Sequence, residues 1–266
     1  MISVAQTDSK QRFSNRVADY IRYRPGYPSA ILDPLREECG LTPESVIADI
    51  GSGTGLVAEL FLENGNMVYG VEPNAAMRDA GEQLLEKHRH FCSVAGSAEA
   101  TTLPDACADF IVAGQAFHWF NREAARREFE RILKPGGWAA LLWNERAVEA
   151  SPFMAEYEQL LQRYGTDYSS VQHTYSEQAG IREFFAPSEV HAREFENQQH
   201  ADWDGLKGRL MSSSYAPPEG DSRHEPMMKE LMSIFAHHQV GGRVTILYRT
   251  RLFAGRLSPR AGRTSE

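Results

Sequence analysis

The sequence offers little that would tie it to a membrane, a metal or a polyanion. None of its 266 residues fall in an unbroken apolar run approaching the roughly eighteen residues that a membrane-spanning helix needs. Cysteine is scarce: Cys39, Cys92 and Cys107 are scattered without metal-ligand spacing, which reads as reduced thiols. His237 and His238 are adjacent and the other histidines dispersed, so no metal is expected. No long Lys/Arg block occurs, and the formal net charge of -8 gives a field that repels a polyanion, so nucleic acid is disfavoured as a partner. The opening Met1-Ile2-Ser3-Val4-Ala5-Gln6 lacks the basic segment and apolar core of a secretory signal, and a cytoplasmic protein is expected.

What is present is an alternation of strand and helix patterns. Val46–Ile50 reads as a buried strand, followed at once by Gly51-Ser52-Gly53-Thr54-Gly55 and then by Leu56, Val57, Leu60 and Phe61 on one helical face. Met67–Val71 is a second strand ending in Glu72-Pro73, which completes a β-α-β unit. Helix is expected over Ser29–Glu38, bent or restarted at Pro34, over Asn74–His88 and over Asn121–Leu133, where Lys134-Pro135-Gly136-Gly137 stops it. Strands are expected at His90–Val94, Asp109–Ala113, Trp138–Trp143, Val190–Phe195 and Val244–Leu252, the last closing the sheet at its edge. Trp203–Met211 and Pro226–His238 read as helices. The economical architecture is α/β: a doubly wound, Rossmann-like, mostly parallel seven-stranded sheet with an antiparallel C-terminal edge strand and a helical insertion. One domain is expected over residues 1–255, with an N-terminal helical lid at about 10–40 and the insertion at about 147–186. Residues 256–266, with almost nothing to pack, read as a mobile tail.

The glycine loop is where chemistry is legible. A chain leaving a buried strand must turn sharply into a helix, and glycines both allow the turn and let a ligand approach the backbone. Free N–H groups at the helix start favour an anionic group there. Glu72 closes the next strand, where an acidic side chain can accept hydrogen bonds from a ribose diol. Loop and glutamate together indicate an adenosine-like ligand.

The string Val46-Ile47-Ala48-Asp49-Ile50-Gly51-Ser52-Gly53-Thr54-Gly55 resembles the first motif of class I S-adenosylmethionine-dependent methyltransferases. Its GxGxG spacing departs from the dehydrogenase GxGxxG, because Leu56 stands where the last glycine would be. The resemblance covers residues 13–145, about half the chain, and is nearest in flavour to the UbiE-like and trans-aconitate methyltransferase-like group. It implies S-adenosylmethionine as cofactor and S-adenosylhomocysteine as product. On that likeness Asp49 organises the loop and the cofactor's amino group, Gly51, Ser52, Gly53 and Gly55 border its methionine portion, and Glu72 holds both ribose hydroxyls. Pro73, Asn74 and Met77 lie on the adenine side. Gly96–Pro104 resembles the adenine-contacting segment and supplies Ser97, Ala98 and Glu99, although many relatives carry Asp where this chain has Ser97. Gln115 and His118 follow the fourth strand, at the methyl-donating end, and Tyr20 and Arg24 in Tyr20-Ile21-Arg22-Tyr23-Arg24-Pro25 would cover the cofactor.

Methyl transfer from a sulfonium requires in-line approach more than acid–base machinery, since positioning can supply on the order of 7–11 kcal/mol of a barrier. The expected reaction is an SN2 displacement onto a small-molecule acceptor, a carboxylate or a hydroxyl compound. His118 is the candidate for chemistry, as proton acceptor or as a group that orients the acceptor, and Tyr20 is paired with it as catalytic. Trp119, Trp143, Asn144 and Tyr215 are candidate acceptor-binding residues. Two alternatives stand beside this reading: a non-catalytic S-adenosylmethionine-binding protein and an NAD-dependent oxidoreductase, the latter without any Tyr-x-x-x-Lys pair. Monomer and homodimer are both compatible with the sequence.

Overall fold

Five residues of the sequence Val-Ile-Ala-Asp-Ile, four of them apolar, form β1 (Val46–Ile50), with Ile47, Ala48 and Ile50 fully buried. A computed structural model of the protein describes residues 23–166, 168 and 178–257. Tyr20, the first part of the expected lid and the tail beyond residue 257 lie outside the described residues. The remaining strands are β2 (Met67–Val71), β3 (Phe91–Val94), β4 (Ala108–Gly114), β5 (Leu133–Arg146), β6 (His191–Ala201) and β7 (Val244–Arg256). The described residues form one seven-stranded sheet in the order β3-β2-β1-β4-β5-β7-β6. Pairings β1–β2, β1–β4, β2–β3 and β4–β5 are parallel. The fold is Rossmann-like and mostly parallel, with an antiparallel edge strand. Chain direction reverses its march across the sheet between β1 and β4, the place where doubly wound sheets bind ligands.

The helices are α1 (Leu32–Cys39), α2 (Leu56–Glu63), α3 (Ala75–Leu84), α4 (Arg122–Ile132), α5 (Pro152–Tyr164), α6 (Gln178–Phe185), α7 (Trp203–Met211) and α8 (His224–His238). Several start on side-chain caps. Asn74 accepts from the Met77 N–H, Asn121 from Ala124, Ser151 from Met154 and Asp202 from Gly205, each worth ~1 kcal/mol. Pro34 marks a restart and not a bend: after the 3-10 turn Ser29–Ile31 it falls in the first turn of α1, where its missing N–H has no partner to lose.

The chain forms two compact units. The sheet unit comprises Tyr27–Trp143, Glu177–Phe195 and the chain from Thr250 onward. Its core joins Ile31 and Leu35 of the first helical segment to Ile47, Phe61, Val68, Val112, Ala140 and Leu142. The helical unit contains Asn144–Ser176 and Glu196–Arg249 together with the chain before Tyr27. It has its own core, built on Met154, Leu160, Leu206, Leu210, Leu231 and Ile246. Among the described residues, no helix is long and apolar enough to cross a membrane.

Three strand expectations are revised. β7 is not the edge: it lies between β5 and β6, and eight of its thirteen residues are buried, as suits an inner strand. β6 takes the edge and runs to Ala201, with mostly exposed residues. Lys134-Pro135-Gly136-Gly137 ends α4 but does not precede the strand; it lies inside β5. Ala108 pairs with Leu133, then the register shifts before Phe110 pairs with Trp138. Gly136 at φ 82° supplies the left-handed turn within this irregularity.

Candidate functional site

The turn from β1 into α2 uses three glycines in left-handed conformation, Gly51 at φ 70°, Gly53 at 57° and Gly55 at 89°. Room is short as well. A Cβ at Gly51 would sit 2.7 Å from the Ala116 Cβ, and one at Gly55 2.5 Å from a Leu85 methyl. The Gly51 and Ser52 amides donate to the Val71 carbonyl at 2.8 and 3.1 Å, which binds the loop to the end of β2.

Glu72 is buried at that strand end and holds the loop from the other side. Its Oε2 accepts from the Gly53 N–H at 3.0 Å and its Oε1 from the Asn74 N–H at 2.8 Å. Each oxygen keeps acceptor capacity beyond one bond, so the carboxylate can order the loop and still receive hydroxyls. Asp49 lies at the end of β1 with 1% exposure. Burial pushes its carboxyl up to about 8; the Ala58 N–H opposes the shift and the Glu72 charge adds to it. Neither Asp49 oxygen makes a hydrogen bond of normal geometry. A buried carboxyl in that condition, beneath the glycine turn, suits a ligand carrying a cationic group.

The next strand ends complete this face. Ser97 and Ala100 exchange backbone hydrogen bonds at 3.0 and 3.2 Å, forming a tight turn after β3, with Ala98 buried within it. Glu99 Oε1 accepts from the Asn121 N–H at 2.8 Å, tying that turn to the start of α4. Gln115, just past β4, has φ 54°, a strained conformation for a residue with a side chain. Its N–H donates to the Leu142 carbonyl at 2.9 Å, which holds the strain in place. Met77, on α3, has its Cε methyl 3.4 Å from where a Gly53 Cβ would lie, and Pro73 is exposed. His118 and Trp119 follow in a short 3-10 turn, their rings 4.7 Å apart. Burial drives the His118 pKa down to about 3, so the imidazole is neutral at physiological pH. Trp143 is buried between Phe117 and Phe253, and its Nε1 has no hydrogen-bond partner.

Arg24, Asn144 and Tyr215 belong to the helical unit. Arg24 Nη2 donates to the Ser212 carbonyl at 2.9 Å. Asn144 donates to the Gly26 carbonyl and accepts from Asn197 Nδ2, both at 3.1 Å, so its amide braces the chain. Tyr215 is buried in a polar cluster with Arg146, Glu158, Tyr168 and Arg209. Arg146 Nη1 donates to the Tyr215 hydroxyl at 3.1 Å, Nε to Glu158 Oε2 at 3.3 Å and Nη2 to the Tyr168 hydroxyl. Burial raises the Tyr215 hydroxyl, but the charges of Arg146 and then Arg209 outweigh it and bring the pKa to about 8.

Sequence reasoning overlooked Phe120, whose ring stands 3.7 Å from where a Gly51 Cβ would be, and Arg209. The aromatic run 117–120 was a signal for the first, but no local pattern marks the second. Glu156, His237 and His238 bring three possible ligand atoms within 4.8 Å of one another, two of them from the end of α8, and His238 pairs with Glu156 at 3.1 Å.

Residues 48–141 match the family model described as a methyltransferase domain. An uncharacterised methyltransferase-like protein of Schizosaccharomyces pombe is 33% identical over 168 residues, 63% of this chain and 64% of that protein. The ubiquinone/menaquinone biosynthesis C-methyltransferase UbiE of Rubrivivax gelatinosus is 37% identical over 92 residues, 34% of this chain and 36% of that one. The matched stretches thus span less than two thirds of the curated relatives' length. A solved structure from Anaeromyxobacter dehalogenans, provisionally described as a type II methyltransferase, superposes with a TM-score of 0.67 at 22% identity, over 90% of this chain and 100% of that one. That likeness is one of fold. Over residues 48–141, and in the architecture of its sheet, the chain is similar to methyltransferases.

Proposed function

We propose that the protein transfers a methyl group from S-adenosylmethionine to a small-molecule acceptor, releasing S-adenosylhomocysteine. One observation carries this reading: Glu72 holds the Gly53 and Asn74 amides at the mouth of a glycine turn built over buried Asp49. That donor and acceptor set fits an adenosine bearing an amino acid. The Glu72 carboxylate would receive the ribose hydroxyls, and Asp49 would face the amino group. Ser97, Ala98, Glu99, Pro73 and Met77 would border the adenine, with Gly51, Ser52, Gly55 and Gln115 along the methionine portion. Tyr20 and Arg24 would cover it, as in the UbiE-like and trans-aconitate methyltransferase-like group, where we place the chain.

Bound cofactor supplies a methyl carbon made electrophilic by its sulfonium. The protein's task is alignment: an acceptor lone pair forms the bond to that carbon as the carbon–sulfur bond breaks, and the acceptor's proton leaves to solvent or a nearby base. A His118 pKa of about 3 makes the ring a weak base. Its better use is as a neutral hydrogen-bonding group that orients the acceptor, with Trp119 and Trp143 supplying apolar walls and Asn144 and Tyr215 polar contacts. The protein would act in the cytoplasm, as a monomer or homodimer.

Calorimetry with S-adenosylhomocysteine tests the cofactor assignment, and NAD serves as the comparison. Tighter binding of NAD would overturn it. Labelled S-adenosylmethionine incubated with a cell-extract metabolite fraction, followed by mass spectrometry, should reveal a methylated product. Cofactor binding without any labelled product would instead favour a non-catalytic binding protein.

A further inference from the structure

Within the helical unit α5 and α8 pack side by side, and three metal-ligating side chains meet where α8 ends. Along α8 the buried residues Met227, Leu231 and Ile234 recur at helical spacing, and His238 falls next on that stripe. On α5 the buried stripe is Phe153, Tyr157 and Leu160, and Glu156 lies at its margin, its side chain 44% exposed. The His238 ring stands 5.9 Å from that of Phe153, which seats the imidazole against α5. His237 is exposed beside it, the two imidazoles 4.6 Å apart and nearly perpendicular. Packing thus supplies what local spacing does not: a carboxylate from α5 opposite two adjacent imidazoles.

One nitrogen from each histidine and one Glu156 oxygen lie within 4.8 Å of one another. His238 Nε2 and Glu156 Oε1 are closest, at 3.1 Å. That nitrogen is shielded from solvent, yet among the described residues it makes no hydrogen bond of normal geometry. A buried polar atom in that condition calls for a partner, and a cation between nitrogen and carboxylate would serve both. Zinc bonds of about 2.0–2.2 Å put tetrahedral ligand atoms about 3.4 Å apart. The His238–Glu156 pair already has nearly that separation, and the exposed His237 side chain can turn to close the rest. Among the described residues no Lys or Arg pairs with Glu156, so its carboxylate is available to a metal. The C-terminal end of a helix also carries partial negative charge, which favours a cation there. Imidazole nitrogens select zinc and its transition-metal neighbours, whereas magnesium and calcium prefer oxygen ligands.

We propose that Glu156, His237 and His238 bind one zinc ion, which clips the end of α8 to α5 and leaves a fourth position for water. The inference is independent of the methyltransferase reading, since no residue of the glycine loop takes part.

The test is calorimetric titration with zinc chloride of the full chain, free of any polyhistidine tag and stripped of metal with EDTA. One zinc per chain is expected, and Tm should rise by several degrees when zinc greatly exceeds its Kd. His237→Ala and Glu156→Gln should each weaken binding by at least the roughly tenfold that loss of an outer-shell partner costs, and remove most of the Tm rise. Both side chains reach solvent, whereas His238→Ala would also delete a ring packed beside Phe153. His200, whose Nδ1 lies 3.0 Å from Thr245 Oγ1 outside the cluster, is the control, and His200→Ala should leave the affinity unchanged. Absence of saturable zinc binding, unchanged affinity in both His237→Ala and Glu156→Gln, or an equal loss in His200→Ala would overturn the site. Calcium binding as tightly as zinc would overturn it too, because imidazole ligation predicts the opposite. If the variants do not fold, the wild type decides: zinc should slow diethyl pyrocarbonate labelling of His237, read by peptide mass spectrometry, and unchanged labelling would refute the proposal.

Discussion

At the scale of single residues, the protonation of Asp49 links stability to ligand binding. Its folded pKa of about 8 lies above the ordinary value of 3.8, so the folded state holds a proton that the unfolded chain releases. Stability from this group is therefore complete below about pH 4 and is lost as pH rises through about 8. Asp49→Asn should flatten that dependence, and its Tm should exceed the wild type's at pH 8 by several degrees. Equal loss of Tm between pH 5 and pH 8 in both proteins would contradict this. A cationic amino group beside Asp49 favours the carboxylate, so S-adenosylhomocysteine binding should release a proton, measurable as a buffer-dependent heat. Glu72→Ala should weaken that ligand about ten- to hundredfold, through lost charge-assisted hydrogen bonds. His118→Ala should lower turnover with little change in ligand affinity, and equal loss of affinity in the two variants would refute the division of roles. The positions of Asp49 and Glu72 could be read in the sequence, because both sit at strand ends beside the glycines. The ionisation of Asp49 could not, since it follows from burial. Arg209 was equally hidden: in Trp203–Met211 it looks like any helical charge, and its partner Tyr248 lies far along the chain.

At the scale of elements, glycines with similar backbone angles should respond differently to a methyl group. Gly51 and Gly136 both have left-handed φ, at 70° and 82°, but an added Cβ meets Ala116 at 2.7 Å in the first case and open space in the second. Gly51→Ala should cost about 1–3 kcal/mol more than Gly136→Ala, the excess coming from the clash. Denaturant unfolding of both variants measures the difference, and equal losses would mean that the loop yields freely. The β1-loop-α2 segment was legible because apolar period, turn and amphipathic period change abruptly there. The beginning of β5 was not, because proline and two glycines signal a stop in any local reading. Only pairing with Ala108 places Leu133 in the sheet. The edge assignment failed for a related reason. Val190–Phe195 reads as a strand, but the polar residues from Glu196 that continue β6 do not, and its place beside β7 comes from the sheet's order.

At the scale of the whole molecule, each of the two units has a core with a fully buried side chain whose truncation tests it. Phe61→Ala in the sheet unit should cost about 3–5 kcal/mol and Leu206→Ala in the helical unit about 2–5 kcal/mol, read by denaturant unfolding. A net charge of -8 predicts no retention on duplex DNA at moderate salt, and salt-sensitive retention would reveal a basic surface. The order of the sheet has a further consequence for behaviour at high concentration. β6 carries Arg193, Glu194 and Glu196 on a mostly exposed strand at the sheet's end. Such charges make an edge a poor template for strand addition, since any incoming chain must desolvate them or match each sign. Colloidal stability is thus written into the charged residues of β6. Exchange of Arg193, Glu194 and Glu196 for threonine should preserve the strand while promoting sheet-to-sheet association, visible as growth of scattering with concentration.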